Sequence, residues 1–220
     1  MVVSVAAGAF AANQTKNNNK NSGTATPPAA TATETPAEGE GRQVKSYSTE
    51  PAMTIDTTKK YTAVIKTDKG DISVELLAAD APHAVNNFVF LARDGFYNGL
   101  TFFRVVPGFV AQAGDPTCTT EPTVTCTGSG GPGYVLTRED NSDSHDAGII
   151  AMAAPSGGEE VSGSQFYMTY APETYLDGRD TVFGRIAGGQ DVLDSLVGRD
   201  TVDPAVQPGS EIISITIEET

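Results

Sequence analysis

The feature that most restricts the fold of this 220-residue chain is a long segment with few large apolar side chains. From Asn13 to about Thr58 the sequence is rich in Asn, Thr, Ala, Pro and Glu. Burial of such side chains releases too little free energy to offset the entropy lost on ordering the backbone. We therefore predict a disordered polar linker at residues 13–58 and a single folded domain at residues 59–220.

The first twelve residues differ from this linker because they are apolar and small. The stretch is too short to cross a bilayer and carries no basic residue. Two interpretations stand: it is the remnant of a signal or anchor segment, or it is an apolar start with no targeting role. The Thr-, Pro- and Asn-rich linker is typical of a tether. It favours an extracytoplasmic location, secreted or in the cell envelope, with an N-terminal anchor as the only membrane contact.

The predicted domain carries nearly all of the net charge. From Tyr61 onward 8 Lys and Arg stand against 23 Asp and Glu, a net charge of −15, whereas residues 1–60 count 6 against 5, a net charge of +1. So acidic a surface repels a phosphate backbone, and we predict no nucleic-acid partner. The excess charge is explained by solubility, which we favour, or by attraction of basic client segments. We expect a monomer.

Two cysteines, Cys118 and Cys126, lie eight positions apart in a Thr-rich stretch. A zinc site would need more ligands than these and the two histidines, and a redox pair is more often spaced C-x-x-C. We therefore predict no metal. A disulfide and two free thiols are both compatible with the spacing. The polar surroundings favour the disulfide, which would fit an oxidising compartment.

The domain shows many short strand patterns and few helical ones. Tyr61–Thr67 and Asp71–Leu77 alternate apolar and polar residues around residues 68–70, which predicts a β-hairpin. A helix is predicted to begin near Pro82 and to end at Gly95, because apolar residues recur between them at helical spacing.

Further strands are predicted at Thr101–Val106, Phe109–Gln112, Ile149–Ala153, Phe166–Thr169, Val182–Ile186 and from Ile213 to Ile217, with a second short helix at Gln190–Val197. Short strands without a βαβ rhythm indicate a mainly β fold, a closed antiparallel barrel capped by helices.

One arginine lies inside an apolar, strand-like run. In residues 102–112, Arg104 alternates with phenylalanine and valine, where an unpaired buried charge would be costly. Considered alone, Arg104 is explained by a salt bridge to one of the many carboxylates or by an exposed strand face.

Motifs of other enzyme classes are absent from the sequence. No G-x-S-x-G elbow of a serine hydrolase occurs, and Gly128–Gly133 lacks the Lys and Ser/Thr of a phosphate-binding loop. We interpret that glycine-rich run as a mobile surface loop.

The order of motifs changes the interpretation of Arg104. Residues 98–115, NGLTFFRVVPGFVAQAGD, resemble the signature segment of cyclophilins, and GIIAMA at 148–153, GSQFY at 163–167 and LDGRDTVFG at 176–184 continue the resemblance in order. The agreement spans roughly Tyr61 to Glu219. It implies a closed eight-stranded antiparallel β-barrel capped by two helices. It also implies a cofactor-free peptidyl-prolyl cis-trans isomerase that acts on proline-containing polypeptide clients and assists their folding.

The resemblance also implies roles for single residues. Arg104 would be the catalytic arginine, with Phe109 and Gln112 beside it. The implied peptide-binding residues are Phe109, Met152, Ala153, Ala154, Gln165, Tyr167, Tyr175, Leu176 and Asp180, of which Phe109, Met152, Tyr167 and Leu176 would form the apolar pocket for the proline ring. Tyr167, Tyr175 and Asp180 stand where the family commonly has phenylalanine, tryptophan and histidine. Two other functions are compatible with the sequence: a proline-peptide binding or chaperone module with little turnover, and a tethered acidic scaffold.

Overall fold

The computed structural model describes residues 32–34, 44–121, 125–154, 158–199 and 207–220. The strands are β1 (Ala32–Glu34), β2 (Lys45–Tyr47), β3 (Tyr61–Thr67), β4 (Gly70–Leu76), β5 (Leu100–Thr101), β6 (Arg104–Val106), β7 (Val110–Ala113), β8 (Val135–Thr137), β9 (Ile149–Met152), β10 (Glu160–Ser162), β11 (Phe166–Thr169), β12 (Thr181–Gly188) and β13 (Glu211–Glu219). The helices are α1 (Pro82–Arg93) and α2 (Gln190–Ser195), and a 3₁₀ turn lies at Thr174–Leu176.

Nine strands form one antiparallel sheet in the order β5-β13-β3-β4-β12-β9-β11-β7-β6. Two small antiparallel pairs, β1 with β2 and β8 with β10, lie outside it. The predicted hairpin is confirmed as β3 and β4, and the prediction of a mainly β fold with two helices is confirmed as well. Within the described chain, the two edge strands of the sheet, β5 and β6, are not paired with each other.

The strand predicted at Thr101–Val106 is not continuous, and this changes the strand count from the predicted eight. Phe102 and Phe103 interrupt it, so that β5 and β6 lie at opposite edges of the sheet. Phe102 is fully buried, whereas Arg104 is exposed, although a single strand would place both on one face. The backbone therefore changes direction at this pair, because burying the bulky ring of Phe102 in the core is worth more than continuing one ladder.

In the central strands, apolar side chains lie on both faces of the sheet, because consecutive residues are apolar and successive side chains point to opposite faces. Ile150 and Met168 face the main core, which also contains Phe88 of α1. Their neighbours Ala151 and Tyr167 face the other way and belong to a second, smaller apolar cluster. The outer face of the sheet is thus a partly covered apolar surface, and it supports the groove described below.

Helix α1 closes the main core and is held at its first turn by a distant residue. The ring of Phe88 packs on the ring of Phe166 with centroids 5.6 Å apart. Ala81, before the helix, has no side chain that can cap it. The carboxylate of Glu139 instead accepts hydrogen bonds from the His83 and Ala84 amides at 3.0 and 2.8 Å. These amides have no intrahelical partner, and the acidic group is favoured at this end of the helix dipole.

The end of the predicted linker packs against the domain. Tyr47 is only 3% exposed, and its ring lies 5.3 Å from that of Phe90. Its hydroxyl donates to Asp94 at 2.6 Å, and its backbone amide donates to the Pro132 carbonyl at 2.7 Å. Ile55 is buried as well. The packed structure therefore begins before residue 59, because two apolar side chains anchor an otherwise polar segment.

Most of the predicted linker, and the predicted apolar segment 1–12, lie outside the described residues. The exceptions are residues 44–58 and Ala32–Glu34, which pairs with β2. Where the structure describes the chain, no helix has both the length and the apolar character needed to cross a bilayer.

We expect two shortened chains to differ in stability. A chain that begins at Val44 keeps Tyr47 and Ile55, and it should unfold with nearly the free energy of the full chain. A chain that begins at Lys59 loses the burial of both side chains and should be less stable by about 2–4 kcal/mol. Urea unfolding measures this difference. Equal stability of the two chains would show that residues 44–58 add nothing to the fold.

Candidate active site

A tight turn between β6 and β7 sets the position of the predicted catalytic residues. In Val106–Phe109, proline at the second position and glycine at the third are typical of a type II turn, and Gly108 has a φ of +76°. The Phe109 amide donates to the Val106 carbonyl at 3.0 Å. The resulting register places Arg104 directly opposite Gln112.

Three neighbouring strands bring the site residues into one row. Gln112 of β7 pairs with Arg104 of β6 on one side and with Tyr167 of β11 on the other. Arg104 Nη1 donates to Gln112 Oε1 at 3.4 Å, and its guanidinium carbon lies 5.3 Å from the centre of the Phe109 ring. A cation at this distance from an aromatic face is attracted by it. The guanidinium is thus positioned by a side-chain amide and a ring.

Arg104 has no carboxylate neighbour in the ion pairs found among the described residues. The salt bridge that could have explained this arginine is therefore not formed there, although the domain has 23 acidic residues. Its side chain is exposed, with its charge turned toward the solvent-accessible side of the sheet.

A cavity of about 160 Å³ opens beside Arg104. Its lining consists of Arg104, Phe109, Val110, Gln112, Ala153, Ala154, Tyr167, Leu176 and Asp180. The volume suits one small ring rather than a large side chain. Apolar groups from the outer cluster form most of the surface, and the guanidinium and one carboxylate provide the charges at its edge.

Met152 is not brought to this cavity, and Val110 is found there instead. Met152 follows Ala151 in β9, so the alternation of the strand turns it into the main core, where it is fully buried. Val110 was not selected from the sequence. Its spacing could have indicated this position, since Val110 and Gln112 are two residues apart in one strand and their side chains therefore share a face.

The remaining predicted residues lie next to the small cavity. Tyr175 stands at the rim, 56% exposed, with its ring stacked on Phe109 at a centroid distance of 6.2 Å. Gln165 lines an adjoining cavity of about 460 Å³ together with Gln112, Gly128, Ser129, Gly130, Gly131, Tyr134, Val135, Ala153, Ala154 and Ser162. Because three residues line both cavities, the two form one continuous depression, called the groove below.

The glycine-rich run, interpreted from the sequence as a surface loop, is one wall of the groove. The carbonyls of Gly128 and Gly130 accept hydrogen bonds from Gln165 Nε2 at 3.3 and 2.8 Å. Gln165 Oε1 in turn accepts from Gln112 Nε2 at 3.0 Å. No local sequence pattern indicates this role, since carbonyl groups are common to all residues. In the same loop the structure joins Cys118 to Cys126 in a disulfide.

Tyr167 and Asp180, two positions where the sequence is expected to depart from the family pattern, are hydrogen-bonded to each other. The Tyr167 hydroxyl donates to Asp180 Oδ2 at 2.8 Å, and the Ala154 amide donates to Asp180 Oδ1 at 2.7 Å. Burial raises the pKa of the Asp180 carboxyl, and these two hydrogen bonds oppose the rise. Burial and the nearby carboxylate also raise the pKa of the Tyr167 phenol, which therefore stays neutral and able to donate.

Metal ligation is not suggested by the arrangement of side chains. In the described ranges, no three His, Cys, Asp or Glu side chains are grouped so that they could hold a metal ion. His145 is fully buried behind the small cavity, with its ring stacked on Tyr167 and its Nδ1 3.0 Å from Asp177 Oδ1.

The curled antiparallel sheet and its groove define a class of protein, a β protein with a ring-sized apolar cavity beside an exposed guanidinium. The family model for the cyclophilin type peptidyl-prolyl cis-trans isomerase matches residues 62–217. The chain belongs to this family and is a peptidyl-prolyl cis-trans isomerase, which confirms the resemblance seen in the sequence.

Relatives agree with this assignment. A peptidyl-prolyl cis-trans isomerase of Helicobacter pylori is 46% identical over 148 residues, which are 66% of this chain and 85% of that protein. Peptidyl-prolyl cis-trans isomerase B of Bacillus subtilis is 40% identical over 137 residues, 61% of this chain and 89% of that protein. The crystal structure of a cyclophilin type isomerase from Cryptosporidium parvum matches with a TM-score of 0.63 and 28% identity, covering 73% of this chain and 99% of that one.

We expect Tyr167→Phe to destabilise the protein more at pH 7 than in acid. The variant removes a donor from the Asp180 carboxylate, so the folded-state pKa of Asp180 rises further above its unfolded value. Stability linked to a raised folded pKa is present at low pH and is lost as the pH rises through that pKa. The loss should be about 1–2 kcal/mol at pH 7 and smaller where Asp180 is protonated.

Urea unfolding at both pH values measures this effect, and Tyr134→Phe is the matched control. The Tyr134 hydroxyl donates at 2.6 Å to the neutral amide oxygen of Asn87, so its loss should have the same effect at both pH values. A Tyr167→Phe cost that does not change with pH would contradict the role assigned to Asp180.

Proposed function

We propose that Arg104 is the catalytic residue and that the small cavity holds the proline ring of an X-Pro segment lying in the groove. The observation that carries this proposal is the exposed guanidinium at the edge of a ring-sized apolar cavity, held by Gln112 and the Phe109 ring. Because the guanidinium lies at the edge of the cavity, it can reach the peptide bond of a proline held there.

The chemistry requires little else. Rotation about a peptide bond meets a barrier of about 18–20 kcal/mol because the nitrogen lone pair is delocalised into the carbonyl group. Uncatalysed X-Pro isomerisation therefore takes roughly tens to hundreds of seconds. No covalent bond is broken, so no nucleophile and no proton transfer are required. The enzyme has to hold one side of the bond and stabilise the twisted state.

Each part of the site has a role in this scheme. Phe109, Val110 and Leu176 hold the proline ring while the preceding carbonyl group rotates. As the bond twists, the lone pair localises on the proline nitrogen and becomes a hydrogen-bond acceptor for Arg104. This hydrogen bond is stronger in the twisted state than in either planar state, which is the condition for acceleration. Arginine suits the role because it stays charged and presents a rigid set of donors.

We propose proline-containing polypeptides as clients. The related isomerase from Cryptosporidium parvum was also solved in the presence of the dipeptide Ala-Pro, in a structure that matches this chain with a TM-score of 0.62 and 29% identity. The net charge of −15 from Tyr61 onward speaks against nucleic acid as a partner, because it repels phosphate groups. Two copies of so acidic a domain would also repel each other, which supports a monomer.

We expect Arg104→Ala to lower kcat/KM for an X-Pro peptide by about 100- to 1000-fold, because a hydrogen bond made in the transition state is lost. The fold should be unaffected, since the side chain is exposed. The kcat/KM of Arg104→Lys should lie between those of the wild type and of Arg104→Ala, because lysine keeps the charge without the planar set of donors. Arg93→Ala is the matched control: Arg93 is an exposed arginine bonded to Glu219, and its loss should leave activity unchanged.

A peptide isomerisation assay with circular dichroism as the check on folding measures these effects. Wild-type turnover no faster than the uncatalysed rate would favour a proline-peptide binding module. Full activity of Arg104→Ala would show that the arginine takes no part in catalysis.

We also propose that the sheet closes into an eight-stranded barrel. β5 and β6 are the two edges of the sheet, and only Phe102 and Phe103 separate them in the chain. If they are counted as one bent strand, the main sheet has eight strands, and the bend joins its first strand to its last. This agrees with the barrel that the family resemblance implies.

For location, we propose that the domain works outside the cytoplasm, secreted or held in the cell envelope through residues 1–58. The disulfide and the polar linker support this placement. Protein taken from its native host should react with no thiol label before reduction and with two labels after it, as measured by intact mass. Two labels without a reductant would contradict an oxidising compartment.

A further inference from the structure

Two described segments, residues 115–118 and residues 126–130, are held together by a disulfide, by a buried carboxylate and by contacts between two threonines. The disulfide links Cys118 to Cys126. Beside it, the fully buried carboxylate of Asp115 accepts hydrogen bonds from the amides of Thr117 at 2.8 Å and Gly130 at 2.9 Å. The covalent bond and the carboxylate therefore hold the same two segments together, residues 115–118 and residues 126–130.

The segment 126–130 sets the orientation of a side-chain amide. The carbonyls of Gly128 and Gly130, two and four positions after Cys126, are both acceptors for Gln165 Nε2. An amide side chain has a donor end and an acceptor end. With its donor end bound to the loop, Gln165 must present its oxygen to the opposite side, where Gln112 Nε2 donates to it.

The orientation continues to the catalytic residue. Since Gln112 donates through its nitrogen to Gln165, its oxygen faces Arg104 and accepts from Nη1. If Gln165 turned over, Gln112 would turn over as well and would present a donor to the guanidinium, which has only donors. The position of two loop carbonyls thus decides whether Arg104 has an acceptor beside it.

We infer that the Cys118–Cys126 disulfide is a positioning element for catalysis, acting on Arg104 through the Gly128 and Gly130 carbonyls and the amides of Gln165 and Gln112. This inference rests on the proposed role of Arg104. A dithiol reductant would convert the disulfide into two thiols with two electrons and two protons, and would itself become a disulfide. The two segments would then be joined by polar contacts only, those of Asp115 and those between Thr117 and Thr127, and the two amides would lose their fixed orientation.

The first experiment compares the oxidised and reduced states of the full chain. Reduction of the wild-type protein should lower kcat about three- to tenfold with little change in KM, and reoxidation should restore it. The Cys118→Ser/Cys126→Ser variant should show the low kcat and no response to the reductant, which makes it the control for direct effects of the dithiol. Circular dichroism at the assay temperature verifies folding. Wild-type kcat that is unchanged on reduction would overturn the inference.

The second experiment tests the route with a double-mutant cycle. If the disulfide acts through Gln165, serine at both cysteine positions should lower kcat in the wild-type background and have no further effect in a Gln165→Leu background. An equal loss in both backgrounds would exclude this route. A lowered melting temperature with unchanged kcat would identify a disulfide that only stabilises the fold.

The outcomes also separate this inference from the proposed function. A wild-type protein that turns over X-Pro peptides equally well in both redox states overturns only the inference. A wild-type protein without turnover in either state, or an Arg104→Ala variant with full activity, overturns the proposed catalysis and the inference together.

Discussion

The pleat of the central strands is the constraint on which the rest of this structure depends. Each of β7, β9 and β11 sends alternate side chains to the main core and to the outer apolar cluster, so neither face of this part of the sheet is fully polar. The core side is closed by α1, whereas the outer side is left partly open. That opening is the small cavity. The same alternation aligns Arg104, Gln112 and Tyr167, because directly paired residues of neighbouring strands point to the same face.

Local patterns were enough to predict the hairpin of β3 and β4, helix α1 and the type of fold, since these depend on neighbours in sequence. Features that depend on distant pairing were not predictable from them. The bend at Phe102 exists because β5 pairs with β13, more than 100 residues later. Likewise, a register shift between Ile212 and Ser214 turns Ile213 out to solvent, against the simple alternation of the last strand. Met152 was placed in the pocket by resemblance, although its position in the strand pointed to the core.

The departures at Tyr167 and Asp180 show why single positions are difficult to interpret in isolation. A hydroxyl at the floor of an apolar cavity needs a partner, and a carboxylate at its wall needs donors. The Tyr167 hydroxyl donates a hydrogen bond to the Asp180 carboxylate, and the Ala154 amide donates a second one. They are therefore best regarded as one paired feature of the cavity, in which the hydroxyl and the carboxylate satisfy each other.

The contacts of Tyr47 have a mechanical consequence. This residue joins the polar N-terminal chain to the domain, and it is bound to Asp94 at the end of α1 and to Pro132, the neighbour of the groove residue Gly131. A pull on the chain upstream of Val44 would load these two points before any strand of the main sheet. The strain would be divided between a helix end and the groove wall, so that tension in the N-terminal chain would reach the groove earlier than it reached the main sheet.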